Sequence, residues 1–283
     1  MRHAAPIPGD RLHVHLLGRL EARTSSGREV PLSGRHAQAL FALLVLARRP
    51  RSRDAIAADL WPESDSSSTG ALRQALWLVR HGLSLAGVDP ATILDIRPDT
   101  LGLCPDAIAA LDLTAFEACL DEPGCTRESA LTLYRGDLVE GLGHDCFAAE
   151  RERLADRFED ALVLVAETRL ADGDLDGACA AAQRLLVRDP LREEAHAVLI
   201  EVHGRSGSRS QVIRQYRRLA AILERELGES PLPETDATYR LALERAVARS
   251  RERAALIGSG SGSGPGPEAA GRERPHLLAL ANG

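Results

Sequence analysis

"ALRQALWLVRHGL", residues 71–83, decides how this chain is read. Leu72, Ala75, Leu76, Val79 and Leu83 recur at helical spacing and predict one face turned to a core. The opposite face of a helix over 67–83 carries Thr69, Gly70, Arg73, Gln74, Trp77, Arg80 and His81. Such a helix is either a wall of the fold or a reader of something outside it, and its flanks separate the two.

Upstream, "SGRHAQALFALLVLARR" (33–49) predicts a helix with Ser33 as N-cap and a thick apolar stripe from Leu40, Leu43, Leu44 and Leu46. Pro50 stops it. "SRDAIAADLW" (52–61) opens with Ser52 as N-cap and carries Asp54 in its first turn, where a helix dipole favours an acid. Pro62 ends that helix, and "ESDSSST" (63–69) supplies a turn and caps. Before these helices, "LHVHLL" (12–17) alternates apolar residues with His13 and His15 as a short strand does, with a turn at "SSGRE". After them, Ile93, Leu94 and Ile96 against Leu101 and Leu103 predict a hairpin turning at Arg97-Pro98-Asp99-Thr100. A small sheet, three helices with an Arg-bearing third and a β-hairpin describe a winged helix-turn-helix.

From Asp112 the pattern is wholly helical, with candidates at 112–121, 127–135, 147–171, 174–188, 191–205, 208–227 and 235–250. "ADGDLDGACAAAQRLL" and "GRSGSRSQVIRQYRRL" superpose at an offset of 34, placing Gly173 on Gly207, Ala178 on Val212, Ala182 on Tyr216 and Leu185 on Leu219. That is the period of tetratricopeptide helix pairs. Two copies make no solenoid alone, so helices 147–171 and 235–250 are expected to cap them. The expected fold class is mainly α: an N-terminal winged helix-turn-helix with a small sheet and wing (1–106), then an all-α tetratricopeptide-like domain (107–250). The Gly/Ser/Pro-rich stretch 251–283 is expected to be a disordered tail.

Composition narrows the function classes. Hydrophobic residues are 44% and aromatics 3%, so the cores are built from Leu, Ala and Val, which favours helices. All 35 basic residues are Arg, a usage that codon bias explains. No apolar run of about 18 residues exists, which excludes a membrane-spanning helix. The N-terminus lacks an apolar signal region, and a cytoplasmic protein is expected. The five cysteines, Cys104, Cys119, Cys125, Cys146 and Cys179, form no CxxC and are expected as unpaired thiols. The net charge of −6 hides an asymmetry: residues 1–83 hold 12 Arg and 7 acids, a net +5, and residues 84–146 hold 3 Arg and 12 acids, a net −9.

With both halves in view, the chain resembles the actinomycete antibiotic-regulatory-protein (SARP) family of transcriptional activators. The resembling stretches are "LLGRLEA" (16–22), "VPLSGRHAQALFALLVLA" (30–47), "SRDAIAADLWPES" (52–64) and "LRQALWLVRHGL" (72–83). In the second half they are "LYRGDLVEGL" (133–142), "ERERLADRFEDAL" (150–162) and residues 188–235. The resemblance covers roughly residues 11–248. It implies an OmpR-type winged helix joined to a bacterial transcriptional activator domain, two copies bound in tandem at promoter direct repeats, and help for RNA polymerase at a biosynthetic gene cluster. At Trp77 and Leu78 the chain departs from the family, whose members commonly carry a small polar residue followed by Arg or another polar residue.

On this reading Thr69, Arg73, Gln74, Trp77, Arg80 and His81 face DNA; Arg pairs with guanine and Gln with adenine through two bonds each. Trp77 either stacks on or touches a thymine methyl, or packs against the wing or a partner. Leu78 is expected to pack against protein. Arg48, Arg49, Arg51 and Arg53, with the helix start at Ser52, are candidate phosphate contacts. Arg97, flanked by Asp95 and Asp99, is a candidate for the wing's minor-groove contact. His144 and Cys146 in "GHDCF" do not complete a zinc pattern. No cofactor or metal is expected, nor a catalytic constellation. The competing reading is a helical-repeat interaction regulator whose degenerate winged helix does not read DNA.

Overall fold

The computed structural model describes residues 11–63, 68–122 and 124–259. The chain divides into two compact units with the boundary between Val198 and Leu199.

In the first unit, β1 (Leu12–His15) and β2 (Glu21–Thr24) pair antiparallel. α1 (Arg35–Ala47) is buried at Ala37 and at every position from Ala39 to Val45, so it is the central rod of the winged helix. Its N-cap is Gly34 with no side-chain cap, not Ser33: at φ 87° the backbone takes a conformation glycine tolerates, leaving Ser33 one residue too early. α1 ends on Arg48 in the left-handed conformation (φ 52°), ahead of Pro50. β3 (Arg51–Ser52) leads into α2 (Arg53–Leu60), where Ser52 caps as expected, its hydroxyl accepting from Ala55 N at 3.2 Å. α3 (Ser68–Leu85) packs on α1 and α2; the turn expected at 63–69 lies largely outside the described residues. α4 (Pro90–Ile93) is one turn, capped by Asp89. β4 (Leu94–Ile96) and β5 (Thr100–Leu103) form the expected hairpin, with β3 on the far edge in the order β3-β5-β4.

β6 (Ile108–Leu111) has no counterpart in the sequence reading. It pairs parallel to β1, completing the order β2-β1-β6. "IAAL" has no alternation; only its distant partner makes it a strand.

α5 (Asp112–Asp121), α6 (Arg127–Leu133), α7 (Ala148–Asp172) and α8 (Leu175–Arg188) follow close to the expected bounds. α7 and α8 form an antiparallel pair turning on Gly173, whose φ of 83° suits a residue without Cβ. Phe116, Tyr134 and Phe158 form their aromatic core, with Tyr134 and Phe158 stacked at 4.1 Å.

The winged helix and these helices interlock. Asp112, 5% exposed, accepts from Leu16 N at 2.8 Å, Leu17 N at 2.9 Å and Leu113 N at 2.8 Å. Gly18 N donates to Asp137 O at 3.0 Å, while Val139 N and Glu140 N donate to Leu16 O and Gly18 O, each at 2.8 Å. A Cβ on Gly136 would stand 3.1 Å from Gly18 Cα, so the two backbones touch where both residues are glycine. "LLGRLEA" and "LYRGDLVEGL" therefore meet as one pairing surface. Val139 takes φ 46°, a strained value for a β-branched residue, held by that pairing.

Cys119 and Cys125 correct an expectation. They are joined in a disulfide with Cα atoms 4.7 Å apart, within the range such bonds span. The end of α5 and the loop before α6 bring them together, which residue spacing did not reveal. Cys104, Cys146 and Cys179 are free thiols.

α9 (Glu193–Arg205) is followed in the second unit by α10 (Arg209–Glu226) and α11 (Pro233–Ser259). Ile200, Val212 and Ala242 make its core, lined by Tyr216 and Tyr239, which stack at 4.1 Å. Gly204 lies against α11, where a Cβ would come within 2.8 Å of Ala242. Gly207 has φ 75°, repeating Gly173 at the equivalent turn. α11 runs to Ser259 rather than 250, and residues 260–283 lie outside the described residues. No helix among the described residues is long and apolar enough to cross a membrane.

Candidate nucleic-acid interface

α3 sorts its residues as the spacing predicts. Leu72, Ala75, Leu76, Val79 and Leu83 are buried, and Thr69, Gly70, Arg73, Gln74, Trp77, Arg80 and His81 are all exposed. Trp77 is 60% exposed, and its indole stacks on the His81 ring at 5.1 Å with only 5° between planes. The pair is one turn apart on the helix, the spacing at which side chains meet. Leu78 is half-buried, with its Cδ1 beside Gly34.

One residue of α3 escaped the sequence reading. Gly82 is buried, and a Cβ there would lie 2.5 Å from Pro31 O. Its hydrogen lets α3 approach the strap before α1.

Beside the exposed face, a cleft of about 600 Å³ runs between α2, the start of α3 and the hairpin turn. Arg53, Trp61, Thr69, Arg73 and Pro98 are among its lining residues.

The basic loop is dispersed rather than gathered. The Arg48 guanidinium turns to α5, donating to Thr114 Oγ1 at 3.2 Å with Glu117 at 4.0 Å. Arg51 pairs with Asp59. Arg53 braces the wing: its Nε donates to Arg97 O at 3.2 Å and its backbone N to Asp99 O at 3.0 Å. Arg49 is exposed. At the turn, the exposed Arg97 is held by Asp95, with Nε to Oδ1 at 3.1 Å and Nη2 to Oδ2 at 3.0 Å. That carboxylate further favours the charged guanidinium. Residue spacing placed these arginines together; the folded chain draws them apart, Arg48 to Thr114 and Glu117, Arg51 to Asp59 and Arg53 to carbonyls of the wing.

Among the described residues no group of three or more His, Cys, Asp or Glu could hold a metal. Burial pushes the Cys146 thiol up to about 11, which leaves it unreactive near neutrality. The His144 Nδ1 is enclosed with no hydrogen-bond partner among the described residues, and its ring centroid lies 6.4 Å from that of His36. Burial first, then the neighbouring His36 and Arg35, lower its pKa from 6.5, with Asp145 opposing. A lowered folded value means the unfolded chain binds the proton more readily. The stability from neutral His144 is therefore complete above pH 6.5 and is lost as pH falls through the lower folded value. Urea unfolding from pH 7.5 to 5 is expected to show a His144→Leu chain with a shallower acid-side slope. One proton contributes at most about 1.4 kcal/mol per pH unit. Superimposable slopes would contradict this.

Comparison with known proteins agrees with this architecture. Residues 114–243 match the family described as the bacterial transcriptional activator domain. Transcriptional regulatory protein MoaR1 of Mycobacterium tuberculosis is 28% identical over 246 residues, covering 81% of this chain and 78% of that protein. Residues 114–243 therefore carry a bacterial transcriptional activator domain, and the chain as a whole is similar to SARP-type transcriptional regulators. The same protein from Mycobacterium bovis is 28% identical over 245 residues, with the same coverage of both chains. A solved structure of Mycobacterium tuberculosis EmbR in complex with low affinity phosphopeptide superposes on this chain with a TM-score of 0.63. It is 26% identical and spans 88% of this chain and 69% of that one. The activator-domain match begins two residues after Asp112, the residue that fastens the end of β1 to α5.

Proposed function

We propose that this regulator is a sequence-specific DNA-binding activator, acting in the cytoplasm without catalysis, that lays α3 in the major groove. The observation that carries the reading is the sorting of α3: Leu72, Ala75, Leu76, Val79 and Leu83 are buried, while Thr69, Arg73, Gln74, Arg80 and His81 stand outward. A helix in that groove presents side chains of this kind to base edges. Arg73 is assigned to a guanine, Gln74 to an adenine, and Arg80, His81 and Thr69 to neighbouring base or phosphate groups. Arg49 and the α2 start at Ser52 are assigned to the backbone, with Arg97 at the wing. Arg48, Arg51 and Arg53 join the interface only by leaving Thr114, Asp59 and the wing carbonyl. Binding as two copies on promoter direct repeats, recruitment of RNA polymerase and control of a biosynthetic cluster complete the proposal by resemblance to the family.

Binding of the full chain to promoter DNA from its own gene neighbourhood tests the reading. Arg73→Ala is expected to weaken binding by about tenfold, the lower end for one lost bidentate base contact. Arg49→Ala is expected to lower the slope of log K against log salt by about 0.9, one phosphate's share. The diversion of three arginines favours the second reading, in which the winged helix docks only to protein. Absence of binding to any such promoter at low salt would establish that reading and sink the first.

A further inference from the structure

Given the DNA-binding reading above, on which this rests, we infer that Trp77, held flat by His81, selects a thymine in the bound site through its C5-methyl group. An indole 60% exposed in the middle of a helix is a large apolar surface left in water. Singly exposed apolar residues are common, but this one is fixed in place: its plane lies 5° from that of His81. Both rings are exposed, and they stack on each other. The stack limits the rotamers of Trp77 before anything binds, so less side-chain freedom is lost on contact.

The chemistry of the surroundings identifies the target. Arg73 lies one turn before Trp77 and Arg80 one turn after it, both exposed. The partner must therefore offer an apolar group with hydrogen-bond acceptors or negative charge on either side. The major groove offers one apolar group among its acceptors, the thymine methyl. A protein surface would need carboxylates spaced on both sides of an apolar knob. His81 is a positioning residue here, setting the plane that meets the methyl.

The test starts from a randomised duplex pool enriched on the full chain, after which each thymine of the selected site is replaced by deoxyuridine. Uracil keeps the pairing and removes only the methyl. One replacement is expected to weaken the wild-type chain about fourfold, the value of one buried methyl-sized group. Trp77→Ala is expected to bind uracil and thymine sites alike, and Trp77→Phe to keep part of the discrimination. His81→Ala is expected to lose discrimination while still binding, with His81→Phe restoring it. A flat uracil scan in the wild type, or the same scan in Trp77→Ala, overturns the inference while leaving DNA binding intact. A pool from which no duplex is retained overturns the DNA reading and this inference with it. A chain that self-associates through Trp77 shows a flat scan together with a mass that falls in Trp77→Ala.

Discussion

Asp112→Ala is expected to cost the first unit about 3–5 kcal/mol, enough to remove a large part of an ordinary domain's stability. The carboxylate stands 5% exposed and receives the backbone N–H groups of Leu16 and Leu17, residues that are themselves 0% and 1% exposed. Alanine leaves both donors enclosed without an acceptor, and each such group costs about 1–3 kcal/mol. The Leu113 N–H loses its partner as well. Asp112→Asn keeps one carbonyl oxygen and is expected to lose roughly half as much. Urea unfolding followed by circular dichroism measures both. A cost below about 1 kcal/mol for the alanine would mean that water reaches Leu16 and Leu17, against their burial. Because Asp112 opens α5 and grips the end of β1, its loss should also loosen the attachment of the winged helix to the activator helices.

Gly82→Val is expected to destabilise by about 3 kcal/mol, and Gly82→Ala by about 2 kcal/mol. The sign of the alanine change is the informative part. On an exposed helix, Gly→Ala stabilises by about 1 kcal/mol, because glycine is the weaker helix former. Here the added Cβ would stand 2.5 Å from Pro31 O, and backbone cannot swing aside as a side chain can. α3 must shift from the strap before α1, carrying Arg73 and Trp77 with it. On the proposed DNA-binding reading, binding should therefore fall more than either residue's contact alone predicts. A Gly82→Ala chain as stable as wild type would show that α3 slides freely on that strap.

The helices were legible because their apolar residues recur at helical spacing and their ends carry Ser, Asp, Gly or Pro. α5 runs from Asp112 to Asp121 as expected, and the sorting of α3 into buried and exposed faces matches residue for residue. The repeat at 173 and 207 was legible for the same kind of reason: both glycines take positive φ at a helix end. β6 was illegible because a four-residue parallel strand owes its existence to β1, nearly a hundred residues away in the chain. The Cys119–Cys125 bond depended on the path of the loop after α5. The loop at 47–53 read as one basic cluster because sequence shows neighbours along the chain. Thr114 and Glu117, which draw Arg48 aside, arrive from another helix.

"ALRQALWLVRHGL" by itself determined which residues of α3 would be wall and which would face outward, since helical geometry fixes that from spacing alone. Tertiary structure decided the rest. It set Gly82 against a carbonyl from another segment and turned Asp112 from a helix opener into the clasp of two motifs. Periodicity is a property of one helix, whereas close approach and the satisfaction of buried N–H groups need atoms that only folding brings together.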